Sequence, residues 1–201
     1  MYNEKLYYRY LILLGIFVFA IIFYLRGGQF EISILGTALS AAGITLLLDM
    51  FILKTIVWKL CPDFFYKLNV TNIPFIGGEW EGTLESDYIF PDTGESVPPI
   101  PARLEIQHNF DSIHIRMETD KSHSSSYVSG ITEDEGNQKY LCYLYGNDAD
   151  KDRDINPKHD GATRLRIKHD GNLRLEGHYW TGRKTTGSMK FKRKKRKNSL
   201  V

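Results

Sequence analysis

Two patterns of apolar residues divide the chain. Near its start, Tyr10–Leu25 (YLILLGIFVFAIIFYL) is a sixteen-residue run without a charge, and it extends back to Tyr7 if Arg9 snorkels toward the interface. A helix rises about 1.5 Å per residue and a bilayer core is about 30 Å thick, so about twenty residues are needed to span it. A second run, Ile32–Leu48 (ISILGTALSAAGITLLL), follows the short turn Arg26-Gly27-Gly28-Gln29 and stops at Asp49, after which MFILKTIVWKL continues. These two runs predict an antiparallel membrane hairpin within residues 1–72, the last few forming a juxtamembrane link.

From Gly77 the period changes to two. Eight strands are predicted: Glu79–Ser86, Ala102–His108, Ser112–Glu118, Ser124–Thr132, Lys139–Tyr145, Thr163–His169, Asn172–Tyr179 and Gly187–Arg193. Ile113, Ile115 and Met117 alternate with His114, Arg116 and Glu118, and Leu165 and Ile167 alternate with Arg164, Arg166 and Lys168. Such alternation marks antiparallel strands with one buried face. Asp170-Gly171 is a hairpin signal, and the prolines of the 91–101 connection keep it out of any central strand. The prediction for residues 73–193 is an all-β domain, a compact eight-stranded up-and-down barrel of lipocalin-like type, with a two-sheet sandwich as the alternative.

Charge sharpens this division. The formal net charge of +2 on 201 residues hides an acidic middle. Residues 1–72 carry 6 basic and 4 acidic side chains, residues 73–189 carry 13 and 20, and residues 190–201 carry 7 and none. Lys5 and Arg9 precede the first apolar run, and Lys54, Lys59 and Lys67 follow the second, whereas the turn has only Arg26. The positive-inside rule then puts both termini in the cytoplasm of a multi-pass inner-membrane protein. A signal peptide is the rival reading, but no small-residue cleavage site follows the first run. Two cysteines, Cys61 and Cys142, exclude a disulfide-dense scaffold and a cysteine-rich zinc module.

Several features carry competing meanings. Gly36, Ser40 and Gly43 permit close helix approach, either within the hairpin or between protomers. Asp49 ends its apolar run, where water is near, and a membrane-buried acid is the alternative. The alternating carboxylates of 147–154 lack the glycine and glutamate an EF-hand loop requires, and the six histidines have no ligand spacing, so no metal is expected. No nucleotide-binding loop or nucleophile motif appears, and neither catalysis nor a cofactor is expected. Lys192, Arg193, Lys194, Lys195, Arg196 and Lys197 form a polybasic end suited to anionic lipid, and residues 194–201 are set apart as a tail. The acidic domain before that tail disfavours DNA or RNA.

Two patches flank the predicted barrel: Ile76-Gly77-Gly78-Glu79-Trp80-Glu81-Gly82 and Tyr179-Trp180-Thr181-Gly182-Arg183-Lys184-Thr185-Thr186-Gly187. Gly78 and Trp80 on the first strand resemble the G-x-W of lipocalin-like barrels, a resemblance that implies closure of one barrel end with the Arg183 guanidinium over the indole. The serine-rich stretch containing Ser124 and Ser126 suits a hydrogen-bonding mouth, and Tyr143, Tyr145, Tyr179 and Trp180 offer stacking surfaces.

With two apolar segments ahead of it, this arrangement resembles the CD-NTase-associated effectors of bacterial cyclic-oligonucleotide-based antiphage signalling (CBASS) that join two transmembrane segments to a β-barrel. The resemblance implies a barrel that binds a cyclic dinucleotide made on infection by a neighbouring nucleotidyltransferase. It further implies homo-oligomerisation and disruption of the inner membrane, ending in abortive cell death. Arg116, Arg183 and Lys184 are then candidates for the phosphates, and Thr181, Ser124, Ser126, Tyr143 and Tyr145 are further ligand-binding candidates. A membrane-tethered lipocalin-like protein that binds an apolar ligand or scaffolds a complex is the competing expectation.

Overall fold

A computed structural model describes residues 2–27, 33–149 and 157–194. The chain divides into two compact units, Met1–Phe75 and Ile76–Val201.

In the first unit, helix α1 (Glu4–Leu25) starts at Asn3, whose side chain accepts a hydrogen bond from the Leu6 amide at 3.1 Å. Helix α2 (Ser33–Leu47) does not stop at Asp49. It continues through ten residues of wide-turned π-helix, Leu48–Val57, into the turn Trp58–Leu60. Both α1 and the Ile34–Leu60 helix are long and apolar enough to cross a membrane. Asp49 is tolerated inside the second because it is partnered. The Tyr7 hydroxyl donates to it, and the Lys54 ammonium lies 3.7 Å from its other oxygen. The helices meet where Gly15 faces Thr45: a Cβ on Gly15 would sit 3.6 Å from the threonine hydroxyl oxygen. Gly36 and Gly43 have open space where a side chain would project, so neither makes the helix–helix contact within the protomer.

The second unit is a closed antiparallel barrel of eight strands: β1 (Gly78–Ser86), β2 (Ile100–His108), β3 (Ile113–Thr119), β4 (Ser122–Glu133), β5 (Lys139–Ala149), β6 (His159–Asp170), β7 (Asn172–Thr181) and β8 (Thr186–Arg193). Each strand pairs with the next, and β1 pairs with β8 from Trp80↔Arg193 to Ser86↔Gly187. That last ladder makes the fold a barrel and excludes the sandwich. Strands β5 and β6 are longer than the sequence suggested, because Gly146–Asn147 pairs with His159–Asp160 although both stretches have the composition of a turn. At Gly177 an added Cβ would collide with the Arg164 carbonyl, so glycine lets adjacent strands close tightly.

The interior has two unlike ends. Trp80, Leu104, Ile106, Ile115, Leu141, Leu165, Leu175 and Phe191 are all but fully buried and fill the end where the chain enters at Ile76. At the other end the inner wall of β4–β7 is polar.

Candidate ligand-binding interior

The apolar end is fastened shut. The Trp80 indole donates to the Ile76 carbonyl at 3.0 Å, the Ile76 amide donates to His108 Nδ1 at 3.2 Å, and the Arg193 guanidinium donates to the Gly77 carbonyl. Burial lowers the His108 pKa to about 4, which keeps the ring neutral and able to accept. This arrangement corrects one expectation. The arginine that accompanies Trp80 is Arg193, its cross-strand partner, and not Arg183, which lies in the β7–β8 turn at the opposite end. Gly78 adopts φ +122°, and its missing Cβ leaves the Arg193 guanidinium room 3.5 Å away.

At the polar end, strand alternation turns Ser124 (β4), Tyr143, Tyr145 and Asn147 (β5), Thr163 (β6) and Tyr179 (β7) inward, and each is buried. Thr163 is the cross-strand partner of both Tyr143 and Tyr179. The Tyr143 and Tyr145 rings lie 5.8 Å apart at 50°. The Tyr145 ring lies against Gly161, and the Tyr179 ring lies against Gly187, where a Cβ would come within 2.7 Å of the hydroxyl. Tyr145 and Tyr179 therefore each pack over a glycine of the neighbouring strand.

Burial drives the chemistry of this wall. It pushes the Tyr143 phenol up to about 12, slightly offset by the nearby Thr163 hydroxyl. It also raises the Tyr145 and Tyr179 phenols, so all three stay protonated and can donate. The Tyr143 hydroxyl and Thr163 Oγ1 are buried without a partner of hydrogen-bonding geometry. Leaving such a group unsatisfied costs about 1–3 kcal/mol. The Arg183 charge reaches Tyr179 and pulls its phenol pKa back down, which places this cation beside the polar wall.

The other predicted residues separate. Arg116 points outward on β3, paired with Glu105 and Ser125, because it alternates with inward Ile115 and Met117. The Ser126 hydroxyl accepts the Ile115 amide at 2.9 Å, and the Ser129 hydroxyl donates to the Ile113 carbonyl. These two serines stitch β3 to β4 beyond Arg116↔Ser125, where the β3–β4 ladder ends; on the other side of β4, the ladder to β5 carries a bulge between Ser126 and Val128. The Thr181 hydroxyl is held inside its turn, 2.6 Å from Thr185 Oγ1. Lys184 occupies that same turn at φ +62°. Trp180 faces outward, in a row with Ala162, Leu144 and Val128 that crosses β7 to β4. Lys192 is exposed on β8, and Lys194 is drawn to Glu81 at 2.8 Å and Glu79 at 3.7 Å. Lys195, Arg196 and Lys197 lie outside the described residues, as does part of the 147–154 stretch. Thr163 and Asn147 were missed as lining residues, although each is in phase with the apolar positions of its strand: Thr163 with Leu165 and Ile167, Asn147 with Leu141.

Residues 71–193 match the family described as Cap15, cyclic dinucleotide receptor domain. The chain belongs to the Cap15 family. A curated relative, CD-NTase-associated protein 15 of Staphylococcus schleiferi, is 30% identical over 139 residues, which cover 69% of this chain and 68% of that one. The Cap15 match spans the whole barrel, the closed end and the polar wall alike, and it agrees with the family resemblance carried by the two flanking sequence patches.

Proposed function

We propose that this chain is a CBASS effector whose barrel receives a cyclic dinucleotide at the polar end of its interior. The observation that carries this reading is the inner wall of β4–β7. Three protonated phenols, the Thr163 hydroxyl and an asparagine stand there beside the cationic Arg183–Lys184 turn, and the Tyr143 and Thr163 oxygens are buried and unpartnered. Cyclic dinucleotides present flat bases with hydrogen-bonding edges and two phosphodiester charges, and this wall offers aromatic faces, neutral donors and adjacent cations. Family membership supports the same reading. An apolar ligand is disfavoured because the apolar end is filled by its own side chains.

The hairpin anchors the protein in the inner membrane with both termini cytoplasmic, and activation ends in membrane disruption by the two apolar helices. Self-association is assigned to the outer row Val128, Leu144, Ala162 and Trp180, with Trp180 46% exposed. Leu144, Ala162 and Trp180 alternate with Tyr143, Tyr145, Gly161, Thr163, Tyr179 and Thr181 on the same strands. A ligand that shifts the inner wall therefore shifts the row, which supplies the differential affinity that ligand-driven assembly requires.

The test uses the full chain in detergent micelles, with thermal unfolding and light scattering followed against cyclic dinucleotides and fatty acids. At a hundredfold excess over Kd, a cyclic dinucleotide should stabilise the protein by about 2.7 kcal/mol and raise its mass. Stabilisation by fatty acids alone overturns the reading.

A further inference from the structure

We propose that Tyr143 and Thr163 form a base-reading pair, two hydroxyls that meet the edge of one nucleobase inserted into the barrel while the phosphates stay outside at the Arg183–Lys184 turn. This deepens, and rests on, the receptor reading above.

Three observations carry it. First, the side chains turned inward on this wall, Ser124, Tyr143, Tyr145, Asn147, Thr163 and Tyr179, are all neutral. A phosphodiester placed among them would lose its hydration without gaining a counter-charge, whereas a base edge needs only neutral donors and acceptors. Second, Tyr143 is 4% and Thr163 3% exposed, they are cross-strand partners, and their hydroxyl oxygens are buried without hydrogen-bond partners. Among the described residues of this wall, the buried side-chain oxygens without a hydrogen-bond partner are those of Tyr143 and Thr163. Third, the cations are on the rim: Arg183 and Lys184 are exposed in the turn that follows β7. A ligand with its base inside and its phosphates outside is the arrangement that satisfies both.

A hydroxyl that bonds a base edge discriminates between bases, because the wrong edge leaves it unsatisfied. The experiment measures Kd by calorimetry for the full chain in detergent with cyclic di-AMP, cyclic di-GMP, cyclic di-UMP and cyclic GMP–AMP. Wild type is compared with Tyr143→Phe, Thr163→Val and Thr163→Ser. The expected result is a wild-type preference among the four that shrinks by about tenfold or more in Tyr143→Phe and in Thr163→Val. Thr163→Ser, which keeps the hydroxyl, should retain the preference. The first two variants should unfold at or above the wild-type temperature without ligand, since each removes an unpaired buried group. An unchanged preference in both overturns the proposal, and so does an equal loss of affinity for all four. If wild type binds none of them, the receptor reading itself fails and this inference falls with it.

Discussion

Trp80 and Arg193 face each other across the β1–β8 ladder and hold consecutive carbonyls of the entering chain, the indole taking that of Ile76 and the guanidinium that of Gly77. The pair fastens one end of the barrel and leaves Arg183 at the other. Arg193→Ala should therefore cost about 1–3 kcal/mol, the worth of a hydrogen bond to a charged donor together with the carbonyl it leaves behind. Arg183→Ala should stay within about 0.5 kcal/mol, as surface changes usually do, and should weaken cyclic dinucleotide binding instead. Thermal unfolding and ligand titration of the two variants check this double dissociation.

The β3–β4 junction depends on side chains where backbone pairing lapses. Ser126→Ala orphans the Ile115 amide and should destabilise the barrel by about 1–3 kcal/mol. Ser129→Ala removes a donor from the Ile113 carbonyl and should cost less, because an under-satisfied carbonyl is better tolerated than an unpaired amide. Hydrogen exchange at the Ile115 amide should accelerate in the first variant before global unfolding does.

His108 makes the closed end sensitive to acid. Its folded pKa of about 4 lies below the ordinary value of 6.5, so the unfolded chain binds the proton first. The contribution is fully present above pH 6.5 and fades as pH falls toward 4, amounting to about 3 kcal/mol over that window. His108→Gln retains an acceptor for the Ile76 amide and should flatten the fall in unfolding temperature between pH 6.5 and 4.

Lys184 combines a left-handed backbone with a charge. Lys184→Gly relieves the backbone strain and should raise stability by about 1 kcal/mol. Removing the ammonium should lower affinity for a cyclic dinucleotide at low salt and reduce its salt dependence. Melting temperature and Kd should therefore move in opposite senses.

Alternation exposed most of the strands in the sequence, since each of these has a buried phase that Leu, Ile or Met makes visible, whereas β4 buries only Ser124 and was marked by its neighbours and turns. The ends of β5 and β6 were hidden because Gly146-Asn147-Asp148 and His159-Asp160-Gly161 are turn-like in composition, although they extend the β5–β6 ladder in the fold. Trp80 was legible as a closure residue, but its arginine was not. Two arginines flank β8, and only the register decides between them. Arg116 looked like a phosphate ligand by charge and was placed outside by parity. The serine-rich stretch looked like a lining; in the fold, Ser124 lines the wall while Ser126 and Ser129 bind backbone. Thr163 and Asn147 were in phase all along, but a polar residue in an apolar phase is easily read as the end of a strand.

Strands β4–β7 contribute one half of their length to the fastened, apolar end and the other half to the polar wall. Substitutions that alter the wall leave Trp80, His108 and Arg193 untouched, so descendants of such a barrel can drift toward a different second messenger without relearning how to fold. A defence system whose signal must change faster than its scaffold gains from that separation.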